Sequence, residues 1–483
     1  MAVPTSRTHA VVLGASIGGI CAAEALAPHF ERVTLLEKDL LPTSPEGRRG
    51  VPQGNQPHAL QMRGRKELGA MFPGLMNELK DHGAFEFDPS NQIARLTPDG
   101  WAPRYDDIGA TAFAGSRPLL EFLLRKLLLA QRPNVQIVQG VRAVDLVHEK
   151  RGDEFWVTGV RTDSGDPALK TLSADLVVDS TGRGTKAPKW LDQMGLPEPE
   201  EIRVDPKCSY TTRHYQAPPE AKNWWWRTLI IDHTPPHQAR GFSLVTVEKE
   251  RWIATAVGTN GDHAPTDEAG WLAYVKSLPT PVAYELLSRA QPLTDIIQNR
   301  TTVNWWKQMH RYEGKLNGLL LFGDAVCGYN PSYGQGMTAS ALASQSLTRS
   351  LEKHQGPIDR HFLRRYYKAQ AEFLEEGWVL STTMDFRWPK TEGKRPLFYG
   401  VTRFVARLME QVIINDRNMV RVVVPLADFG AKRWSIVTPS FVARFMWGLL
   451  RHIVKRPRLP TEIDLYTPDR APSPSADESV AAE

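Results

Sequence analysis

Glycine turns with acidic groups near them are where this sequence is equipped for chemistry. The first is Gly14-Ala15-Ser16-Ile17-Gly18-Gly19, entered from a short apolar run, Ala10-Val11-Val12-Leu13. It is left through an alanine-rich stretch that favours helix until Pro28. A second apolar run, Val33-Thr34-Leu35-Leu36, closes on Glu37 beside Lys38. Strand, bare turn, helix, strand and acid follow one another in the order of a dinucleotide-binding unit. A turn with few side chains lets a pyrophosphate reach the positive end of the helix. Glu37 stands where it can accept hydrogen bonds from ribose hydroxyls. Ser16 replaces the middle glycine of the six-residue fingerprint, and Glu37 beside Lys38 does not by itself distinguish FAD from NAD.

Two later segments bear on that choice. Residues 174–186 read ADLVVDSTGRGTK, a buried strand ending in a glycine turn, and residues 319–343 read LLLFGDAVCGYNPSYGQGMTASALA. In the latter a strand ends at Gly323-Asp324, and a loop holding Pro331, Gly334 and Gly336 leads into a helix of small residues. These segments resemble the aromatic-hydroxylase (para-hydroxybenzoate hydroxylase-like) class of FAD-dependent monooxygenases. With RRGVPQGNQPHAL at 48–60 they are most similar to the bacterial flavin epoxidases of polyether pathways, and more distantly to squalene epoxidase. The similarity runs from about residue 10 to residue 350.

The resemblance implies a site as well as a cofactor. Asp324 would bind the ribityl chain of FAD, Pro331 would lie by the flavin ring, and Gly334, Gln335, Gly336 and Met337 would meet its pyrimidine end. Arg117, heading an amphipathic helix, would contact the FAD phosphates. Arg49, Val141 and Gly182 join Gly14, Ser16, Ile17, Gly18, Gly19, Glu37 and Lys38 in the expected cofactor-binding set. His58 is expected to be structural. Where the family has Asp-Gly, this chain has Thr181-Gly182. The implied reaction uses NADPH or NADH as a transient reductant, and O2 captured as a flavin C4a-hydroperoxide, to epoxidise or hydroxylate a lipophilic alkene or aromatic. The flavin carries that chemistry, so no acid–base triad is required. Tyr333 is the candidate for shaping the pocket. A prenyl reductase or a flavin halogenase would share the scaffold, but the halogenase Trp-x-Trp-x-Ile-Pro motif is missing.

The elements that must position these residues follow from the order of the motifs. At 483 residues, with 41% hydrophobic and 23% charged, the chain exceeds one simple core. It should be α/β, with a discontinuous FAD-binding Rossmann-like domain at 8–85, 117–190 and 318–355. The inserted residues 86–116 and 191–317, with runs such as Gly241–Val247 and Trp252–Val257, should form a largely antiparallel substrate domain roofing the flavin. Trp224, Trp225, Trp226, Trp305 and Trp306 fall there, as pocket wall or as core. Residues 356–466 should be helical and 467–483 a disordered tail.

A formal charge of +5 gives no case for nucleic acid, and 13 histidines show no metal-ligand spacing. Three scattered cysteines make no disulfide framework. With no signal-peptide pattern, the expected location is the cytoplasm. The segment 441–456 carries apolar residues at 441, 442, 445, 446, 449, 450, 453 and 454 on one helical face, with Arg444, Arg451 and Lys455 off it. Such a face suits peripheral membrane contact, or, as is commoner, packing on the protein's own core.

Overall fold

The four apolar runs come together as neighbours in one parallel sheet. β1 (His9–Leu13) passes through the glycine turn into α1 (Ile17–Leu26), and β2 (Arg32–Glu37) returns beside β1. α2 (Arg117–Gln131) leads to β3 (Val135–Gln139), and β4 (Leu176–Asp179) and β5 (Leu319–Leu321) complete the set. The order is β5-β4-β1-β2-β3, all parallel. Every residue of β1, β4 and β5 is buried, as expected of parallel strands covered on both faces. The hairpin Ala143–Arg151/Glu154–Thr162 packs against β4, and α1 packs on α2 and on α3 (Gly336–Glu352). Small residues bring α1 and α3 close enough for Ser344 Oγ to donate to the Cys21 carbonyl at 2.6 Å. The structure, a computed structural model, describes residues 7–106, 108–109, 111–395, 397, 399–427, 429, 438–455 and 459–467.

The insertions build an eight-stranded sheet. Its long members, Ser209–Gln216, Arg240–Val247 and Arg251–Gly258, pair antiparallel, and Thr228–Ile231 extends them. Ile93–Thr97, from the earlier insertion, joins this sheet by the parallel pairing with Thr228–Ile231. The two inserted pieces are thus one layer, with its own core. Trp224, Trp225 and Trp226 belong to that core, packed with Trp252 and Trp271.

The C-terminal region is helical: α4 (Arg360–Asp385), α5 (Tyr399–Ile413), α6 (Arg417–Ala427) and α7 (Pro439–Lys455). After α7 the chain returns across the antiparallel sheet. Trp225 Nε1 donates to the Asp464 carbonyl at 2.9 Å, and Trp226 Nε1 to that of Leu465 at 3.0 Å. The Thr467 carbonyl accepts from the Trp225 amide at 3.2 Å, so the expected tail is bonded at its first residue. Its remainder, 468–483, lies outside the described residues. Among those described, no helix is long and apolar enough to cross a membrane.

Candidate cofactor and substrate site

Sheet register sets the three motifs side by side. Leu13 is opposite Asp179, and Asp179 is opposite Leu321, so the turns after β1, β4 and β5 leave one carboxyl edge together. Ligands bind at such edges of open α/β sheets. Gly14 turns the chain with φ +94°, its amide donating to the Leu36 carbonyl at 2.8 Å. Ser16 holds the N-cap position of α1 in an extended conformation, its hydroxyl donating to Glu121 Oε2 at 2.8 Å, and Ile17, Gly18 and Gly19 form the first turn.

Glu37 is buried at the end of β2 and accepts from the amides of Ala15, at 2.9 Å, and Asp39, at 3.0 Å. The Val141 amide donates to the Glu37 carbonyl at 3.0 Å, which places Val141 at the same corner. Lys38 and Arg49 are exposed. The neighbouring Arg48 instead turns inward, within 2.8 Å of Asp39 and Glu121 and 3.1 Å of Glu37. The Arg-Arg pair marked this loop in the sequence, but only the fold decides which arginine faces in.

Arg117 lies between two cavities. One is lined by residues including Arg48, Gly54, Glu121 and Arg125. The other is lined by residues including His58, Leu60, Phe113, Ser116 and Met337. Its Nη2 donates to Ser16 Oγ at 3.1 Å, while its buried Nε has no hydrogen-bond partner. A buried guanidinium N–H left unpaired costs stability, and it is suited to an anion entering between α1 and α2. At the wall of the second cavity, burial and then Arg117 push the His58 pKa down to about 3. Its Nδ1 lies 2.8 Å from the Gln56 carbonyl, and the ring stays neutral.

The loop after β5 supplies the other end. Asp324 sits in a tight turn, partly exposed, and Gly182 (φ +66°) lets the turn after β4 pack on it: a Cβ there would lie 3.6 Å from Asp324 Cβ. Gly336 starts α3, with the Asp324 carboxylate 3.9 Å from where its Cβ would be. Gly334 (φ +66°) bends the chain just before it. Gln335 and Met337 are buried and Tyr333 and Gly336 half-buried, whereas Pro331, Ser332 and Gly334 are exposed. The loop therefore offers an open backbone face at a helix N-terminus, where negative charge is favoured.

Behind that face lies a polar network that sequence reasoning missed. The Tyr333 hydroxyl points away from the open face and donates to Asp385 Oδ1 at 2.7 Å. Asn330 Nδ2 donates to the same oxygen at 2.9 Å, and Asn304 Nδ2 to Oδ2 at 2.6 Å. Tyr210 donates to Asn330 Oδ1 at 2.7 Å and also meets Ser332 Oγ. A sequence signal for Asp385 exists: Leu374, Gly377, Ser381 and Asp385 share the buried face of α4, where an acid is out of place.

The middle motif is closed differently from the family pattern. Asp179, two residues before Thr181, accepts from the Thr181 amide at 2.9 Å and from the hydroxyls of Thr181 and Thr185 at 2.5 Å. Arg183 is clamped to the carbonyls of Val303 and Tyr329, at 2.8 and 3.0 Å, with its guanidinium 3.9 Å from the Trp305 ring centre. Trp305 Nε1 in turn donates to the Asp324 carbonyl at 3.1 Å. Trp305 thus borders the loop, while Trp306 packs into the core against Trp378. The cysteines Cys21, Cys208 and Cys327 are buried and free. Among the described residues no cluster is built to hold a metal ion.

This arrangement, a parallel sheet with an antiparallel roof and glycine turns at its carboxyl edge, is the fold of the FAD-dependent monooxygenases. The p-nitrophenol 4-monooxygenase PnpA of Pseudomonas putida superposes with a TM-score of 0.60 over 89% of this chain and 99% of its own, at 16% identity. The flavin-dependent brominase Bmp2 gives 0.60 over 93% and 100%, at 13% identity. The chain belongs to the same family as Protein Rv3254 of Mycobacterium tuberculosis, with 32% identity over 396 residues, 79% of this chain and 81% of that one. The chloroplastic zeaxanthin epoxidase of rice (Oryza sativa subsp. japonica) is 24% identical over 72% of this chain and 49% of its own. No protein-family model matches the sequence.

Proposed function

We propose that this protein is an FAD-dependent monooxygenase that epoxidises or hydroxylates a small lipophilic alkene or aromatic, with NADPH or NADH as reductant. The observation that carries the reading is the buried, unpaired Arg117 Nε, beside the Ser16 turn and in the hollow that Met337 lines, next to the loop that exposes Pro331, Ser332 and Gly334. A dinucleotide laid along this edge has its phosphates met by Arg117 and the N-terminus of α1, its ribose by Glu37, and its ring by the loop. When bound, FAD supplies acceptance of a hydride and activation of dioxygen.

The chain's own residues hold and shield that chemistry. Arg117 and the α1 amides neutralise phosphate, the N-terminus of α3 favours negative charge near the ring, and the antiparallel layer keeps water out. Burial raises the pKa values of Tyr210 and Tyr333 well above that of a free phenol. Both hydroxyls stay protonated within the network at Asp385 and Asn330. The likeness to zeaxanthin epoxidase favours an alkene as substrate.

Two measurements test the reading. Arg117→Ala is expected to weaken FAD binding about tenfold or more, the loss of a charge-assisted hydrogen bond. The FAD-free variant should melt close to the parent. Fluorescence titration reads the first and thermal melting the second; unchanged FAD affinity would detach Arg117 from the cofactor. In rapid mixing, FAD-loaded protein reduced without oxygen and then exposed to aerated buffer with candidate polyenes should pass through a blue-shifted transient and yield a product containing one atom of O2. Direct return to oxidised flavin, with saturated product formed anaerobically, would give the site to alkene reduction instead.

A further inference from the structure

The apolar arc of α7 is wider than the surface it packs on. Phe441 is buried, Phe445 and Leu449 are half-buried, and a Cβ added at Gly448 would stand 2.5 Å from Val412 of α5. That accounts for one side of the helix. Val442, Met446, Leu450 and Val454 step along the adjacent side at intervals of four, and Trp447 lies beside them; these five are 44% to 71% exposed. Packing on the protein's own core therefore explains only half of the face seen in the sequence. Contiguous exposed apolar side chains of this kind mark a contact surface.

Charge identifies what the surface meets. At 100° per residue, Arg444 and Arg451 flank the exposed stripe on the edge between it and Gly448, and both are exposed. From 439 to 458 the sequence holds Arg444, Arg451, Lys455, Arg456 and Arg458 and no Asp or Glu. Two copies joined through this stripe would bring these like charges together. A bilayer with anionic headgroups satisfies both halves of the surface, taking the apolar stripe into the acyl boundary while the arginines reach its phosphates. At 17 residues, α7 is suited to lying in the interface rather than crossing it.

We propose that the exposed stripe of α7 docks the protein onto anionic phospholipid surfaces. The inference stands on α7 alone and does not depend on the flavin chemistry. The test is flotation of the full-length protein with vesicles of phosphatidylcholine and phosphatidylglycerol in equal parts, against phosphatidylcholine alone. Most of the protein should float with the first and little with the second. Met446→Glu/Leu450→Glu should lower partitioning on the order of tenfold or more, with FAD content and melting unchanged because both positions are exposed. Arg444→Ala/Arg451→Ala should lower binding to the anionic vesicles several-fold, and less at high salt. Absence of flotation with anionic vesicles, or glutamate variants that float as the parent does, would overturn the proposal. So would a parent dimer in light scattering that the glutamate pair dissolves, which would give the stripe to a second copy of the chain.

Discussion

Gly19→Ala is expected to abolish the FAD-loaded protein, while Gly18→Ala, one residue away, should leave the fold intact. A Cβ at Gly19 would stand 1.8 Å from the Gly14 carbonyl oxygen and 2.8 Å from Ser180 Oγ. Neither atom is free to yield. The Gly14 amide is bonded to Leu36 at 2.8 Å, and Ser180 Oγ reaches the Leu13 and Gly14 carbonyls at 3.0 and 3.3 Å. No rotamer change relieves a backbone contact of that kind, so α1 would have to move off the sheet and take its N-terminus away from the proposed phosphate site. Overpacking against backbone belongs with the exceptional substitutions, at about 4 kcal/mol or more. The melting temperature should fall by roughly 10 °C or the protein become insoluble.

At Gly18 the nearest atom to an added Cβ is Ser340 Oγ at 3.8 Å, an ordinary contact. Alanine is also the better helix former there. Melting of the FAD-free chains and FAD titration of both variants decide the matter. Equal losses of stability in the two would mean that α1 does not seat on the sheet as described.

The contrast shows what was legible in the sequence and what was not. The parallel sheet was readable because its central strands are continuous apolar runs, and the glycine turn because its residues are contiguous. β3 (VQIVQ) was not, since only Val135 of this edge strand is buried and two glutamines interrupt the apolar run. The inward turn of Arg48 rather than Arg49 depends on Asp39 and Glu121, which chain order does not bring near. The network at Asp385 draws on residues 210, 304, 330, 333 and 385, five positions that only the fold assembles. For Trp224–Trp226 the sequence left wall or core open, and the segment returning after α7 settles it, because two of the indole N–H groups bond to that segment. Periodicity likewise gave the width of the apolar arc of α7. Which half packs is set by α5, through Val412 under Gly448.

Asp385→Asn is expected to leave a folded protein with a loosened flavin loop and an altered dependence on pH. Asn304 Oδ1 already accepts the Asn330 amide at 2.7 Å and Ser381 Oγ at 2.5 Å, so Asn304 must aim its Nδ2 at residue 385. Asn330 Nδ2 and the Tyr333 hydroxyl point at it too. A carboxylate takes all three; an asparagine brings an NH2 of its own and leaves buried donors facing one another, at about 1–3 kcal/mol each. Because Asn330 and Tyr333 lead into Gly334–Met337, FAD affinity should fall about tenfold along with stability.

The pH dependence separates this from a simple packing defect. Burial pushes the Asp385 pKa up to about 6, with Tyr333, Asn304 and Asn330 opposing, against an ordinary value of 3.8. The folded chain then holds a proton that the unfolded chain has released between about 4 and 6. The stability this contributes is fully present below about 4 and is lost as pH rises through about 6, on the order of 3 kcal/mol in all. In the protonated form the carboxyl donates to the Tyr333 hydroxyl, which can turn to accept. Asparagine has no such titration. The advantage of the parent over Asp385→Asn in melting temperature should therefore be widest near pH 4 and narrow above pH 6. A gap constant from pH 4 to pH 8 would mean that Asp385 stays ionised behind the loop throughout, and that its role is to fix Asn330 and Tyr333 rather than to exchange a proton with them.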